Sequence, residues 1–339
     1  MKRSSIFLTI LVLVLAISLV FSGCSSKQQT PSSSSTQESS QTVSSEKKYN
    51  IVLITMDSMD EHWLAVKAGA EAKAKELGNV QLTFRAPAEK ADPNEQVRMM
   101  EDAINQKADA ILIAPTDQTA LTPVVEKAFD AGIPVILIDS PVKTDKYVSF
   151  VATDNIKAAE MAADKLGELL GGKGKIAIIS AQPGSGTTIM RENGFKDRLK
   201  EKYPDIQIIT TQYSMGDKNR ALNQALDILT AHPDLAGFYG TNEGSTIGIA
   251  MAIKQKDLAG KVKVVGFDIS QATINAIKEN YIQASMVQNP YMMGYKGVEL
   301  AVEKLQGKEV PKRVDTGVTV MTKGNLDQVV KDYYKGQSK

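Results

Sequence analysis

Three polar residues that could bind a small ligand follow apolar, β-branched segments of the chain. Asp139 comes directly after residues 134–138, and Asp268 comes directly after residues 262–267. Asn242 follows the segment that ends at Tyr239. Their side chains can donate or accept hydrogen bonds. A polar residue after a strand can also simply cap the next helix. The pattern recurs in both halves of the chain, and this repetition favours a binding role.

The residue sets that enzymes use are missing from the sequence. The first apolar segment leads into MDSMD at residues 56–60 rather than a G-x-G-x-x-G motif, and PGSGT at residues 183–187 lacks the ending of a P-loop. No G-x-S-x-G motif occurs, and of the two histidines, His62 and His232, the second lies in a helix-ending turn. One cysteine and two histidines cannot build a common zinc site. We predict a protein without catalytic residues, metal or cofactor.

The elements that must position these residues alternate between strands and helices. In the first half, strands are predicted at residues 51–56, 80–84, 110–114 and 134–138. Helices are predicted between them at residues 61–77, 93–106 and 121–130. A β-α-β-α order predicts a parallel sheet with helices on both faces.

The same order returns in the second half. Strands are predicted at residues 175–180, 206–211, 235–239 and 262–267, with helices around 190–201, 218–229 and 245–254. Residues 136–139 correspond to 265–268, and residues 115–117 correspond to 241–243. The fold class is therefore α/β, with two doubly wound parallel-sheet lobes. Open α/β sheets bind ligands at the carboxyl ends of their strands, so two facing lobes predict a cleft lined by Asp139, Asn242 and Asp268.

The composition and the net charge argue against nucleic-acid binding and against a disulfide-bonded fold. The chain has 339 residues, 42% of them hydrophobic and 23% charged, which is ordinary for a soluble globular protein. Its 40 Lys and Arg against 39 Asp and Glu give a net charge of +1, and removal of Lys2 and Arg3 with a leader gives −1. No basic excess is present for nucleic-acid binding. A single cysteine excludes a disulfide framework.

The N-terminus has the features of an export signal. Lys2 and Arg3 precede an apolar segment at residues 6–21, and small residues follow at 22–23. The apolar segment is short for a transmembrane helix. Residues 25–48 are rich in Ser, Gln and Thr and nearly devoid of apolar side chains, so we predict a flexible tether.

Residues 20–24, VFSGC, resemble a bacterial lipobox, although Phe21 stands where that motif usually has Leu. The resemblance implies that residues 1–24 are a lipoprotein signal peptide and that Cys24 is acylated and becomes the mature N-terminus. Such a protein is anchored by lipid to the extracytoplasmic face of the cell membrane. A buried thiol is the alternative, but the polar surroundings of Cys24 disfavour it.

The signal, the cysteine, the tether and the duplicated unit together resemble an ABC-transporter solute-binding lipoprotein of the type I periplasmic sugar-binding family, which includes ribose-, allose- and galactose-binding proteins. The similarity extends from residue 50 to 325 and is carried by residues 91–117, 133–139, 151–155, 190–195, 229–234, 264–268 and 287–290. It implies an N-terminal lobe of residues 49–154 plus 288–317 and a C-terminal lobe of residues 155–287 plus 318–330. A three-strand hinge near Asp154, Gln288 and Gly317 would join the lobes and let them close on a ligand.

The resemblance identifies nine positions of this chain that match the sugar-binding positions of the family. They are Asp60, His62, Trp63, Asp139, Ser140, Arg191, Asn242, Asp268 and Gln288. The carboxylates would accept from sugar hydroxyls, Arg191 would donate, and Trp63 would offer a flat apolar face or serve as a core anchor. We expect these residues to be exposed in an open cleft, so that their replacement spares the stability of the unliganded protein.

Three of these positions depart from the ribose-type pattern. Asp60 replaces an Asn, Ser140 replaces an Arg, and Gly216 stands where an aromatic residue is expected. The pocket should therefore be more acidic and more open than a ribose site. A modified sugar, a polyol and an amine-bearing ligand all remain open.

The resemblance implies a monomer that captures a sugar or polyol and delivers it to the permease of an ABC importer. A ligand sensor for a membrane receptor or kinase could use the same cleft. Sugar-responsive transcription factors share the core, but they carry a DNA-binding domain where this chain has a signal and tether. A secreted enzyme on this fold is disfavoured by the missing catalytic residues. We therefore expect no nucleic-acid partner.

Overall fold

The computed structural model describes residues 47–88 and 92–336. The predicted export signal, Cys24 and the tether up to residue 46 lie outside the described residues. Within the two described ranges, no helix is both long enough and apolar enough to cross a membrane.

The first sheet is built from the apolar segments of the N-terminal half. Its parallel strands are β1 (Tyr49–Ile54), β2 (Val80–Arg85), β3 (Ala110–Ile113), β4 (Val135–Ile138) and β5 (Ser149–Ala152), in the spatial order β2-β1-β3-β4-β5. Successive side chains of a strand point to opposite faces. In β1, Ile51 and Leu53 enter one apolar core, and Val52 and Ile54 enter another. Both faces are therefore covered, as the unbroken apolar segments predict.

The second sheet repeats the first. Its strands are β6 (Lys173–Ser180), β7 (Asp205–Tyr213), β8 (Leu235–Gly240), β9 (Lys263–Phe267) and β10 (Ala284–Gln288), in the order β7-β6-β8-β9-β10. Strand for strand this is the order of the first sheet, so the predicted duplicated α/β fold is confirmed.

Two late strands complete the sheets. β11 (Arg313–Asp315) pairs in parallel with β5, and β12 (Val318–Thr322) pairs antiparallel with β10. The sheets are therefore parallel as predicted except for this one antiparallel edge of the second sheet. β12 follows β11 after only residues 316–317, so it starts beside the end of β10 and must run in the opposite direction.

Ten helices occur in the described part of the chain. They are α1 (Glu61–Leu77), α2 (Pro93–Asn105), α3 (Thr122–Asp130), α4 (Asn155–Leu170), α5 (Gly186–Lys202), α6 (Lys218–Ala231), α7 (Glu243–Gln255), α8 (Gln271–Lys278), α9 (Pro290–Leu305) and α10 (Leu326–Gly336). Helix α5 begins four residues before the predicted start, because Ser185 caps it by accepting the N–H of Thr188. The elements α4, α8, α10, β5 and β10–β12 were not among the predicted ones.

Helix α9 packs on α1 with the two backbones in contact. A Cβ atom added to Gly294 would lie 1.9 Å from the carbonyl oxygen of Val66, and one added to Gly69 would lie 1.9 Å from that of Tyr291. Only glycine allows such an approach. Although α9 follows β10 of the second sheet, it therefore belongs with the first.

We call β1–β5, β11, α1–α3 and α9 the first lobe, and β6–β10, β12, α4–α8 and α10 the second lobe. The chain passes between the lobes three times, from β5 to α4, from β10 to α9 and from β11 to β12. Two of these crossings are tied together, because Oδ1 of Asp315 accepts from the backbone N–H groups of Asp154 at 3.1 Å and Gly317 at 2.9 Å. The carboxyl ends of both sets of strands face the space beside the crossings.

Candidate functional site

Two aspartates occupy equivalent positions in the two lobes. Asp139 follows β4 and Asp268 follows β9, and both adopt a left-handed backbone conformation with φ values of 62° and 72°. The N–H of Asp139 donates to the carbonyl of Val151, and that of Asp268 donates to the carbonyl of Met286, both at 2.9 Å. A positive φ is uncommon outside glycine but tolerated by Asp. The duplicated backbone turn therefore delivers one carboxylate from each lobe to the same cleft.

His62 lies between these two carboxylates. It occupies the first turn of α1, which follows a turn in which Oδ1 of Asp57 accepts from the N–H groups of Met59 and Asp60. Its Nε2 lies 3.2 Å from Oδ1 of Asp139, and its Nδ1 lies 3.7 Å from Oδ1 of Asp268. The histidine of the first lobe thus pairs with a carboxylate of each lobe.

The charges of this trio reinforce one another. Burial alone would lower the pKa of His62, but the contact with Asp139 and the charges of Asp268 and Asp139 outweigh it and raise the pKa. Burial alone would raise the pKa of Asp139, but the contact with His62 and the charges of His62 and Arg191 hold it below its ordinary value. The raised pKa of His62 and the lowered pKa of Asp139 both favour the charged form of the side chain.

Arg191 forms the opposite wall from helix α5. Its Nε donates to Oδ1 of Asn155 and its Nη1 to the carbonyl of Thr241, both at 2.8 Å. The guanidinium carbon lies 4.0 Å from the ring centre of Phe267, a cation–π arrangement. Nη2 is buried and has no hydrogen-bond partner among the described residues. The side chain is thus held on three sides and keeps one donor for a ligand.

The third group of polar residues comes from the ends of β8 and β10. Asn242 caps α7, since its Oδ1 accepts from the N–H of Ser245 at 3.1 Å, so the capping interpretation holds for this residue. Asp268 accepts from the N–H of Glu243 at 2.9 Å and from Nε2 of Gln288 at 2.6 Å. Oε1 of Gln288 and Oε2 of Glu243 are buried and lack partners in the described part of the chain.

Glu243 was not predicted as a site residue, although it lies in the cleft. Burial and the charges of Asp60 and Asp268 raise the pKa of Glu243 to about 8, so its carboxyl group is mostly protonated at neutral pH. The signal was present in the sequence, because Glu243 corresponds to Asp117 in the repeat of residues 115–117 and 241–243. The position did not stand out because acidic residues are common in the first turn of a helix, where they stabilise the helix whether or not they bind a ligand.

The structure brings eight of the nine predicted site residues around one cavity between the lobes. The space measures about 540 Å³, part of it open to solvent, and Asp60, His62, Trp63, Asp139, Arg191, Asn242, Asp268 and Gln288 line it. Further lining residues come from the loops after β6 and β7 and from the start of α5. Those that sequence reasoning missed include Gln182, Ser185, Thr187, Thr188 and Met215.

Ser140 is not brought into this set. It is fully buried, and its hydroxyl lies 3.4 Å from that of Ser185 and accepts from the N–H of Thr187 at 3.3 Å. Both partners belong to the second lobe. Ser140 therefore joins the two lobes beside the cavity.

The two lobes are closed on each other in this conformation. The N–H of Gln118 donates to the carbonyl of Gly184 at 2.9 Å, and the hydroxyl of Thr187 donates to the carbonyl of Asp139 at 2.9 Å. The expected exposure of the cleft residues is accordingly wrong here: Arg191 is 3% exposed, Asp139 4% and Asp268 6%. Closure therefore buries the charged side chains of the cleft.

Trp63 lies between the cavity and the apolar core of the first lobe. It lines the cavity, and it also packs into the apolar core of the first lobe with Leu53 and Val66. Its ring meets that of His62 edge to face, with centres 4.6 Å apart. On the opposite side Gly216 leaves room, and a Cβ there would lie 3.5 Å from Nδ2 of Asn242 and 3.7 Å from Nε2 of Gln182. The amides of Asn242 and Gln182 thus border the position of the missing aromatic ring.

The arrangement provides donors and acceptors but no reaction chemistry. Carboxylates, amides and a guanidinium surround the cavity, and such groups match the hydroxyls of a polyhydroxyl compound. Among the described residues, no group of three or more His, Cys, Asp or Glu side chains is placed to hold a metal ion. The geometry fits a binding site for a small polar molecule.

Comparison with known proteins agrees with this geometry. Residues 51–309 match the periplasmic binding protein domain family. The chain is 31% identical over 277 residues to the ribose import binding protein RbsB of Bacillus subtilis, covering 81% of this chain and 88% of that protein.

Solved structures show the same similarity. An ABC transporter solute-binding protein from Agrobacterium vitis with bound D-fucose is 40% identical, with a TM-score of 0.82, over 84% of this chain and 99% of that one. A carbohydrate transporter solute-binding protein from Agrobacterium radiobacter in complex with D-arabinose is 34% identical, also with a TM-score of 0.82, over 85% and 99% of the two chains. The chain therefore belongs to the type I periplasmic sugar-binding family of ABC-transporter solute-binding proteins, a family that is not enzymatic.

Proposed function

We propose that this protein captures a sugar or polyol in the cavity between its lobes and delivers it to the permease of an ABC importer. One observation carries the proposal: Nη2 of Arg191, Oε1 of Gln288 and Oε2 of Glu243 are all buried at this cavity without partners in the described ranges. Each buried polar atom without a partner costs about 1–3 kcal/mol. The hydroxyls of a bound sugar would satisfy all three.

Ligand binding would act by stabilising the closed arrangement of the lobes. The three crossings near Asp154, Gln288 and Gly317 would serve as the hinge, with the predicted lobe boundaries at these points. A ligand shifts such an equilibrium only by its difference in affinity for the two states. Arg191 and Asp268 of the second lobe and Asp139 of the first would contact the same sugar only when the cleft is closed, which supplies that difference. The protein would act as a monomer, and surface charges on the outer rims of the lobes would dock the permease.

A screen by thermal unfolding tests the binding proposal. The purified chain is melted with pentoses, hexoses and polyols over a range of concentrations. A ligand that binds the folded state alone adds about 2.7 kcal/mol to the unfolding free energy at a hundredfold excess over Kd. We expect at least one sugar or polyol to raise Tm in proportion to the logarithm of its concentration. No response to any of them would contradict the proposal.

We further propose that Cys24 carries the lipid that holds the protein at the extracytoplasmic face of the cell membrane, with residues 25–48 as the tether. The motif at residues 20–24 supports this assignment. In cells, Cys24→Ala should yield a protein that is found in the medium or the soluble fraction, because the acylated thiol is lost. The measurement is immunoblotting of membrane and soluble fractions. Ser25→Ala is the control and should stay with the membrane, whereas retention of Cys24→Ala there would refute lipid anchoring.

A further inference from the structure

We propose that the cleft selects a sugar that carries a protonated amine, and that Glu243, Asp60, Asp268 and Gln288 form the subsite for its ammonium group. We call these four residues the acidic corner. The inference rests on the proposed sugar-binding function and specifies the class of sugar.

Two buried side-chain oxygen atoms of the acidic corner, one from Gln288 and one from Glu243, have no hydrogen-bond partner among the described residues. Gln288 uses Nε2 to donate to Oδ1 of Asp268, which leaves its Oε1 buried without a partner in the described part of the chain. Glu243 uses its backbone N–H to donate to Oδ2 of Asp268, and its Oε2 is likewise buried without a partner there. An ammonium group brings three donors and no acceptor. Once the Glu243 carboxyl group is ionised, both oxygen atoms are acceptors, and an ammonium group can donate to both of them whereas a hydroxyl can donate to only one.

The charges of the side chains around the cavity also favour an ammonium group. Five acidic side chains line the cavity, at Asp57, Asp60, Asp139, Glu243 and Asp268, against the basic side chains of Arg191 and His62. His62 is shared between Asp139 and Asp268.

The cost of this excess negative charge falls on Glu243. Burial together with the charges of Asp60 and Asp268 raises the pKa of its carboxyl group to about 8. A cation bound beside it would favour the ionised form, so the carboxyl group would release its proton to the buffer as the ammonium binds.

A metal ion is a poor occupant of the acidic corner. Within residues 47–88 and 92–336, no three metal-ligating side chains converge at a suitable geometry. An organic ammonium needs only hydrogen-bond acceptors and a negative potential, and the corner has both.

Isothermal titration calorimetry at pH 7 tests the proposal. The probes are the 2-amino, 3-amino and 6-amino forms of D-glucose and D-galactose, each paired with its neutral parent. We expect at least one amino sugar to bind the purified chain tenfold or more tightly than its parent. Titration in buffers of different ionisation enthalpy should also show release of a proton with that amino sugar and none with the parent.

Two variants separate the acidic corner from general effects. Glu243→Gln should lower the affinity ratio between the amino sugar and its parent at least tenfold and abolish proton release. Glu192→Gln removes a carboxylate of similar burial that lies outside the cavity, beside Lys196 and Tyr213, and should keep the ratio. Should Glu243→Gln fail to fold, the proton-release measurement on the natural chain decides.

The outcomes distinguish this inference from the proposed function. If neutral sugars bind and every amino sugar binds equally or more weakly, the protein is a sugar-binding protein and the ammonium subsite is refuted. If neither set binds, the proposed sugar-binding function fails and the inference fails with it.

Discussion

Replacing Arg191 with alanine should weaken sugar binding roughly ten- to hundredfold. The substitution removes Nη2, the charged donor that faces the cavity without a partner in the described chain. A hydrogen bond to a charged group contributes about 1.5–3 kcal/mol, and each 1.4 kcal/mol corresponds to a tenfold change in Kd. Calorimetric titration with a sugar identified by the thermal screen measures the loss.

The unliganded Arg191→Ala variant should also have a lower free energy of unfolding than the natural chain. An exposed cleft residue could be replaced without this loss, but Arg191 is buried. Alanine would leave Oδ1 of Asn155 and the carbonyl of Thr241 unpaired, and it would remove the guanidinium that lies 4.0 Å from the Phe267 ring. We expect a loss of about 2–4 kcal/mol in the free energy of unfolding, measured by urea denaturation of the unliganded chain.

Arg198 provides the matched control on the same helix. It pairs with Asp164 on the outside of the second lobe, with 27% of its side chain exposed, and it does not line the cavity. Arg198→Ala should leave Kd within about twofold and lower the free energy of unfolding much less than Arg191→Ala does, because an exposed ion pair contributes little. Equal affinities of Arg191→Ala and the natural chain would show that the ligand does not contact Arg191.

Replacing His62 with alanine should lower the free energy of unfolding by about 3–5 kcal/mol near pH 6. Such losses are typical when one partner of a buried ion pair is removed, because the other charge stays buried. Here two carboxylates, Asp139 and Asp268, would face each other without the imidazolium between them. Urea denaturation at several pH values measures the effect.

The direction of the pH dependence follows from the sign of the pKa changes. The folded pKa of His62 is above its ordinary value of 6.5, so its stabilising contribution is complete below pH 6.5 and is lost as pH rises through the folded pKa. The pKa of Glu243 is raised from 4.5 to about 8, and this also makes stability fall with rising pH across that interval. Asp139 acts oppositely, because its lowered pKa makes stability fall only in acid, below its ordinary value of 3.8.

The natural chain should therefore be more stable at about pH 5–6 than at pH 8.5. His62→Ala should remove part of this decrease in the free energy of unfolding with rising pH, which we call the pH slope, and Glu243→Gln should remove another part. His232 is the matched control, because it lies at the end of α6 outside the cavity, and His232→Ala should keep the full pH slope. A pH slope in His62→Ala equal to that of the natural chain would contradict an imidazolium between the two carboxylates.

Local sequence determined much of the fold. Apolar β-branched segments such as residues 51–54 and 135–138 form fully covered strands, because their side chains on both faces need apolar neighbours. Their alternation with amphipathic helices implied the parallel sheets, and the recurrence of the order implied two lobes. The positions of Asp139 and Asp268 followed as well, since the carboxyl ends of parallel strands lie at one edge of a sheet.

Tertiary structure alone decided how these residues meet. His62 lies far from Asp268 along the chain, and nothing in either segment indicates that they come within 3.7 Å across the cleft. The burial of Glu243, the placement of Ser140 outside the cavity and the reversal of β12 likewise depend on how the lobes close and where the chain crosses between them. Strands and helices form from patterns a few residues long, whereas the charge and hydrogen bonding of the cleft arise from contacts between distant segments. The sequence by itself therefore determined the two lobes and eight of the residues that line the space between them, and only their packing determined which of those residues are paired and which are left for a ligand.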